Sequence, residues 1–126
     1  MVNLIKDNER GDLMAFDTID VPFYVKRIFV VNNVTEMTYR GSHCHKSCNQ
    51  YLICLSGEIH AILYKNALSA ERLIMQKGDS VLIDNMIWSE QLYKTKDSSL
   101  MVLSIKARAA SSDCVLIELS KFVLPS

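Results

Sequence analysis

The chain has 126 residues, 49% of them hydrophobic, and 14 Lys and Arg residues balance 14 Asp and Glu residues, so the formal net charge is zero. This length fits a single domain spanning residues 1–126, and the apolar fraction excludes an intrinsically disordered chain. The neutral balance argues against a nucleic-acid partner held by bulk positive charge.

The N-terminal region predicts neither a targeting segment nor a membrane span. A signal peptide needs an uninterrupted apolar stretch of about 7–15 residues, whereas charged residues interrupt the first twenty positions: Lys6, Asp7, Glu9, Arg10 and Asp12. Elsewhere, no apolar run approaches the roughly 18 residues of a spanning helix. The four cysteines lack the pattern of a disulfide scaffold. We therefore expect a cytoplasmic protein with reduced thiols and no membrane partner.

Short runs of β-branched and aromatic residues follow, separated by isolated glycines and prolines. They occupy residues 24–31, 50–55, 58–64, 80–83 and 99–106. Short strands spaced by about ten residues and broken by turn signals are typical of an all-β sandwich or barrel. At the C-terminus, apolar residues between Asp113 and Val123 recur at near-helical spacing, which predicts a short helix, with a final strand as the alternative.

Alternation within the run 58–64 assigns its side chains to two faces. Ile59, Ala61 and Leu63 share one face, and His60 lies on the other. We expect His60 to be a partly exposed strand residue without a functional role.

Two of the three histidines, His43 and His45, lie in the stretch that begins at Arg40. Residues i and i+2 of an extended chain project from the same face, so both imidazoles are expected to point together. Neutral imidazole has a reference pKa of about 6.5, which suits proton transfer beside a carbonyl. The pattern thus indicates a catalytic or metal-binding pair inside a β-barrel. The alternative is two polar residues on an exposed strand edge.

The same stretch resembles the first motif of the cupins, small β-barrels whose metal sites add a Glu and a further His to this pair. Here the Glu position falls on Asn49 or Gln50, and the second-motif histidine position falls near Ser89. Because a stable divalent site needs at least three protein ligands, we expect no metal and no other cofactor. A metal-dependent cupin enzyme that uses His43, His45 and a third ligand, such as the Cys48 thiolate, remains an alternative.

Two sequence blocks, in their order and spacing along the chain, resemble those of the sugar 3,4-ketoisomerases that act on dTDP-4-keto-6-deoxyglucose. The first block runs from Val21 to Phe29, and the second runs from Arg40 to Lys46. Shorter matches occur at 10–13, 54–57, 86–88 and 100–104, so the resemblance covers about residues 5–103. It implies a single-domain cupin-type β-barrel, or jelly roll.

The resemblance also implies a metal-independent isomerase that moves the ketone from C4 to C3 of a dTDP-linked 4-keto-6-deoxy sugar through an enediol. His45 would be the main base, and His43 would assist it. The enediolate and the diphosphate need cationic or hydrogen-bonding groups. These are expected from Arg10, Arg27, Arg40, Gln50, Trp88 and Ser89. Lys26 and Arg27 are adjacent, so only one of them can face the barrel interior, and we assign Arg27. Members of this family are homodimers, often with exchanged N-terminal strands.

Two departures from the family pattern define a second hypothesis. Where the family commonly has His or Arg after the tryptophan that Trp88 matches, this chain has Ser89. In the family, this position and the one matched by Arg10 influence which C4 epimer forms. The family's D-Y-I-R tail is also absent, and residues 113–116 stand near its place. The alternative function is therefore a non-catalytic cupin that binds a sugar nucleotide.

Overall fold

The computed structural model describes residues 2–7, 9–45, 49–66, 68–105 and 116–117. At residues 42–45 it describes the backbone, and the side chains of His43 and His45 lie outside the described part. One turn of 3-10 helix covers Thr18–Asp20. The strands, in chain order, are β1 (Val2–Asp7), β2 (Gly11–Phe16), β3 (Arg27–Val31), β4 (Thr38–His45), β5 (Gln50–Ser56), β6 (Ile59–Asn66), β7 (Ser69–Met75), β8 (Ser80–Ile83), β9 (Trp88–Tyr93), β10 (Ser99–Ser104) and β11 (Leu116–Ile117).

The strands form a hairpin and two larger antiparallel sheets. The hairpin pairs β1 with β2, the four-stranded sheet has the order β3-β10-β5-β8, and the five-stranded sheet has the order β11-β4-β9-β6-β7. From β3 onward, successive strands alternate between the two larger sheets except at the β6–β7 hairpin, which lies within the five-stranded sheet. The predicted all-β cupin-type fold, or jelly roll, is confirmed. Within the described ranges, no helix is long and apolar enough to cross a membrane.

The short helix expected over 113–123 is not found at Leu116–Ile117. These residues form a strand that pairs with His45 and Cys44 of β4. The free edge of β4 offers backbone hydrogen bonds to this segment, and pairing there overrides a weak helical spacing. The rest of the predicted helix lies outside the described residues.

The main core lies between the two larger sheets. Its buried residues come from six strands: Leu52, Cys54, Ile59, Ala61, Met75, Ile83, Tyr93, Leu100 and Val102. Ile59 and Ala61 are both fully buried, so the face predicted from the alternation of β6 is confirmed. Burial of this apolar surface between the sheets supplies the main driving force for folding.

A second cluster covers the outer face of the four-stranded sheet. Ile53 and Leu103 are fully buried there, against Val21 and the side chains of Met14 and Phe16 from β2. An ion pair between Lys77 and Asp12 links the hairpin to the turn between β7 and β8. The N-terminal hairpin is thereby held against the barrel, which positions the β1–β2 turn.

Candidate active site

Polar residues replace the apolar core at the end of the barrel where β5 begins. Gln50 pairs with Ser104 of β10, and Ser104 pairs in turn with Arg27 of β3. Residues directly opposite each other in antiparallel strands place their side chains on the same face. Gln50 precedes the core residue Leu52 by two positions, so this row of three faces the interior. Gln50 is half-buried and Ser104 is buried.

Arg27 occupies the interior-facing position at the start of β3. Its guanidinium carbon lies 4.8 Å from the centroid of the Phe29 ring, and Phe29 packs against the main core. This cation–π contact orients an exposed guanidinium at the mouth of the barrel. Arg27 therefore shares a face with the core, whereas the adjacent Lys26 does not.

Ser89 and Gln91 form a buried polar pair on β9. They are 4% and 8% exposed, and the Nε2 atom of Gln91 donates a hydrogen bond of 3.1 Å to the Ser89 Oγ atom. Gln91 stands opposite the core residue Ala61 on β6, so both side chains face the barrel interior. The sequence reasoning named Ser89 and missed Gln91. Gln91 could have been found because it lies two residues after Ser89 and therefore on the same face of a strand.

The register of β4 against β9 brings the histidine stretch beside this pair. Arg40 stands opposite Gln91, and His43 stands opposite Ser89. Between them the register shifts, because Gly41 faces Glu90 and one additional residue precedes His43. This is a β-bulge, which changes the set of residues that share a face.

Gly41 is required at the bulge for two reasons. Its φ angle is +87°, in the left-handed region that favours glycine. A Cβ atom on Gly41 would lie 2.7 Å from the Oε1 atom of Gln91 and 3.0 Å from the carbonyl oxygen of Ser89. The glycine therefore lets the backbone of β4 approach the buried polar pair closely.

The structure places Trp88 on the other face of β9 from this group, and Arg10 in the turn of the N-terminal hairpin. Trp88 is 3% exposed and its indole Nε1 donates a 3.1 Å hydrogen bond to Oε1 of Glu90, two residues along the strand. Trp88 and Glu90 therefore share the face of β9 opposite to that of Ser89. Arg10 lies in the exposed turn between β1 and β2.

Burial raises the pKa of two titratable groups in the main core. It raises the pKa of the Tyr93 phenol to about 12, against the opposing effect of the Arg40 charge. It also raises the pKa of the Cys54 thiol to about 11. Both groups are therefore protonated at neutral pH, and neither serves as a base there.

His60 lies outside this site, and the expectation of partial exposure is wrong. Its side chain is buried, because it bridges two charged neighbours on the outer face of the five-stranded sheet. Arg72 Nη1 donates to Nδ1 at 2.9 Å, and Nε2 donates to Oε2 of Glu58 at 2.8 Å. A guanidinium only donates, which fixes these roles. The alternation rule placed His60 on the correct face, but it could not show that Arg72 and Glu58 enclose it.

Comparison with known proteins identifies the family. The family model FdtA, described as WxcM-like, C-terminal, matches residues 1–115. The chain belongs to this family. Among curated relatives of this FdtA-family chain is the TDP-4-oxo-6-deoxy-alpha-D-glucose-3,4-oxoisomerase of Aneurinibacillus thermoaerophilus. It is 28% identical over 98 residues, which are 77% of this chain and 70% of the relative.

Solved structures agree with this FdtA-family assignment. A double mutant of the QdtA 3,4-ketoisomerase from Thermoanaerobacterium thermosaccharolyticum, in complex with TDP, superposes with a TM-score of 0.77 at 28% identity, covering 90% of this chain and 82% of that one. The WlaRB TDP-quinovose 3,4-ketoisomerase from Campylobacter jejuni superposes with a TM-score of 0.75 at 28% identity, covering 90% of this chain and 87% of that one. The resemblance inferred from the sequence is confirmed, and with it the assignment to a family of isomerases.

Proposed function

We propose that this chain is a sugar-nucleotide 3,4-ketoisomerase that moves the ketone from C4 to C3 of a dTDP-linked 4-keto-6-deoxy sugar. The observation that carries the proposal is the polar barrel end, where Ser89 and Gln91 stand opposite His43 and Arg40. Relatives at 28% identity that are named for this reaction support the same activity.

The proposed reaction removes a proton from C3 and returns one to C4, moves another proton from the C3 oxygen to the C4 oxygen, and needs no oxidant. His45 removes the proton bound to C3, the C3–H electron pair forms the C3=C4 double bond, and the C4 carbonyl π pair moves onto the C4 oxygen, which takes up a proton to give an enediol. The enediol is then protonated at C4 while the C3 hydroxyl loses its proton, which leaves a ketone at C3 and a hydroxyl at C4. Imidazole suits both transfers because its ordinary pKa is near neutrality. His43 assists by positioning the substrate or by exchanging the hydroxyl proton.

The cationic groups at the barrel mouth are assigned to the diphosphate. Arg27 and Arg40 are both exposed and stand on strands that border the polar end. Guanidinium forms bidentate, charge-assisted hydrogen bonds with phosphate oxygens, so two such groups suit one diphosphate. Gln50, half-buried in the row beneath Arg27, supplies neutral hydrogen bonds to the sugar or to its nucleotide.

The proposed function includes a homodimer. The N-terminal hairpin and the adjacent edge strand β3 carry exposed apolar side chains, among them Ile5, Leu13, Ile28 and Val30. Exposed apolar surface of this kind marks an interaction site. In such a dimer, Arg10 at the hairpin turn would reach the site of the partner subunit.

NMR of dTDP-4-keto-6-deoxyglucose incubated with the protein tests the proposal. We expect the 3-keto product to appear, and we expect His45→Asn to abolish it while dTDP binding, followed by calorimetry, persists. A chelator should leave turnover unchanged, since no step uses a metal. If the wild-type protein binds dTDP but converts no nucleotide-linked 4-keto sugar, the chain is the non-catalytic binding cupin instead. Loss of turnover with chelator would favour the metal-dependent alternative.

A further inference from the structure

Burial of the polar side chains of Ser89 and Gln91 costs free energy, because both are removed from water. On the β6 side, the positions opposite Gln91 and Ser89 are Ala61 and Leu63, which are apolar and pack in or against the main core. Transfer of a hydroxyl and an amide from water to such a place is unfavourable unless their hydrogen bonds are made there. An apolar pair would fill the same space without this cost.

The single hydrogen bond between the two side chains satisfies only part of their capacity. A glutamine amide has two N–H donors and a carbonyl acceptor, and a serine hydroxyl can donate one hydrogen bond while it accepts others. Gln91 Nε2 donates to Ser89 Oγ, so the serine acts as acceptor in that bond. Among the residues whose side chains the structure describes, none accepts from the Ser89 hydroxyl or donates to the Gln91 Oε1 atom.

The two groups that find no partner among the described side chains form a matched donor and acceptor. The Ser89 O–H is a neutral donor, and the Gln91 Oε1 atom is a neutral acceptor, held together by the bond between them. A carbonyl with a hydroxyl on the adjacent carbon presents the complementary acceptor and donor. This α-hydroxyketone is present both in the substrate and in the product of the reaction proposed above, with the two oxygens exchanged.

We propose that Ser89 and Gln91 together bind the α-hydroxyketone of the sugar, and that the Gln91 amide also positions the Ser89 hydroxyl. The inference rests on the proposed function and assigns the sugar subsite within it. A serine hydroxyl stabilises the enediolate oxygen by hydrogen bonding, but it does not protonate carbon at neutral pH. Both proton transfers then remain with the histidine pair, and the Ser89–Gln91 pair contributes orientation and charge stabilisation.

A double-mutant cycle with Ser89→Ala and Gln91→Met tests this inference. Methionine keeps the length of glutamine and removes its hydrogen bonds. We expect each single variant to lower kcat/KM about tenfold, and the double variant to lose less than the product of the two losses, because removal of the Gln91 amide also releases the Ser89 hydroxyl. The pH profile of kcat should keep its shape because the histidine base is unchanged. Gln76→Met, the same substitution at an exposed turn residue, is the control.

Three outcomes would overturn the inference. Additive losses would show that Gln91 acts independently of Ser89, and a displaced pH profile would show that the pair acts on His43. Wild-type kinetics in both single variants would show that the pair does not contact the substrate. Circular dichroism and thermal unfolding of each variant identify any loss that comes from misfolding.

Calorimetry separates this inference from the proposed function, because it needs no turnover. We expect Ser89→Ala and Gln91→Met to weaken binding of dTDP-4-keto-6-deoxyglucose about tenfold and to leave binding of dTDP unchanged. If the wild-type protein has no isomerase activity, the selective loss of keto-sugar affinity still supports the subsite. Equal losses for both ligands would contradict it even in an active enzyme.

Discussion

Glu58, His60 and Arg72 form a chain of hydrogen bonds on the outer face of the five-stranded sheet, away from the candidate active site. Arg72 donates to His60, and His60 donates to Glu58, which also lies 3.5 Å from Lys94 Nζ. The hydrogen bond from His60, and then the Lys94 charge, hold the pKa of the Glu58 carboxyl below its ordinary value. The ionised carboxylate thus stabilises the folded chain.

We expect Glu58→Gln to lower the free energy of unfolding at neutral pH. A carboxyl with a depressed pKa in the folded state stabilises the fold above its unfolded pKa, and this contribution disappears as the pH falls through the folded value. The variant and the wild-type protein should therefore converge in acid. Urea unfolding at several pH values and fixed protein concentration measures this, with Glu71→Gln, at an exposed residue of β7, as control. A difference that is constant with pH would contradict the prediction.

At the scale of elements, the turn between β5 and β6 shows how backbone conformation and packing combine. Gly57 has a φ angle of +72°, and a Cβ atom there would lie 2.6 Å from the Cα atom of Ser98. Ser98 is buried, and its hydroxyl donates to the carbonyl oxygen of Glu58. The turn is thus pressed against the loop before β10, and the absence of a side chain at Gly57 allows that contact.

Gly57→Ala should lower the free energy of unfolding by about 3 kcal/mol, since it adds a backbone clash to left-handed strain. Gly11→Ala is the matched control. Gly11 has a similar φ angle of +86°, but a Cβ atom there meets nothing within 4 Å. Gly11→Ala should lower the free energy of unfolding by only about 1 kcal/mol, from backbone conformation alone. Equal losses in the two variants, measured by chemical denaturation, would show that the contact with Ser98 contributes nothing.

The strands that the sequence did not predict are informative at the same scale. Alternating or continuous apolar runs identified β3, β5, β6, β8 and β10. In contrast, β9 escaped notice because Ser89 and Gln91 occupy interior positions where a core strand would carry apolar residues. Most of β7 is exposed at the edge of its sheet, and its apolar alternation is correspondingly weak. Strand β9 was therefore missed because polar residues of the candidate site interrupt the pattern that reveals a strand.

At the scale of the whole molecule, the outer face of the four-stranded sheet is only partly covered. Ile28 stands opposite Leu103, a buried member of the second cluster, yet Ile28 is 57% exposed. The cluster thus continues from the covered part of the sheet to an open apolar edge at β3. The sequence resemblance implied a homodimer, and an open edge of this kind is where a second copy would pack.

We expect the protein to sediment as a dimer and Ile28→Lys to shift it to a monomer, because a charge at the interface centre would lose its hydration. Ile74→Lys is the matched control. Ile74 is also 57% exposed, but it lies on β7 of the other sheet. Analytical ultracentrifugation measures both variants. The proposed interface would be rejected if the wild-type protein is monomeric or if the two substitutions have equal effects.

Because of the bulge in β4, the candidate site depends on whether the number of residues between Arg40 and His43 is odd or even. Ser42 is the additional residue that lets Arg40 and His43, three positions apart, stand opposite two residues of β9 that share one face. Deleting Ser42 would leave both histidines in the sequence and reverse the parity of the strand beyond Gly41. An H-x-H motif can therefore be intact in a related sequence and face away from its barrel. A comparison of such sequences should count the residues between the arginine and the histidines as carefully as it matches them.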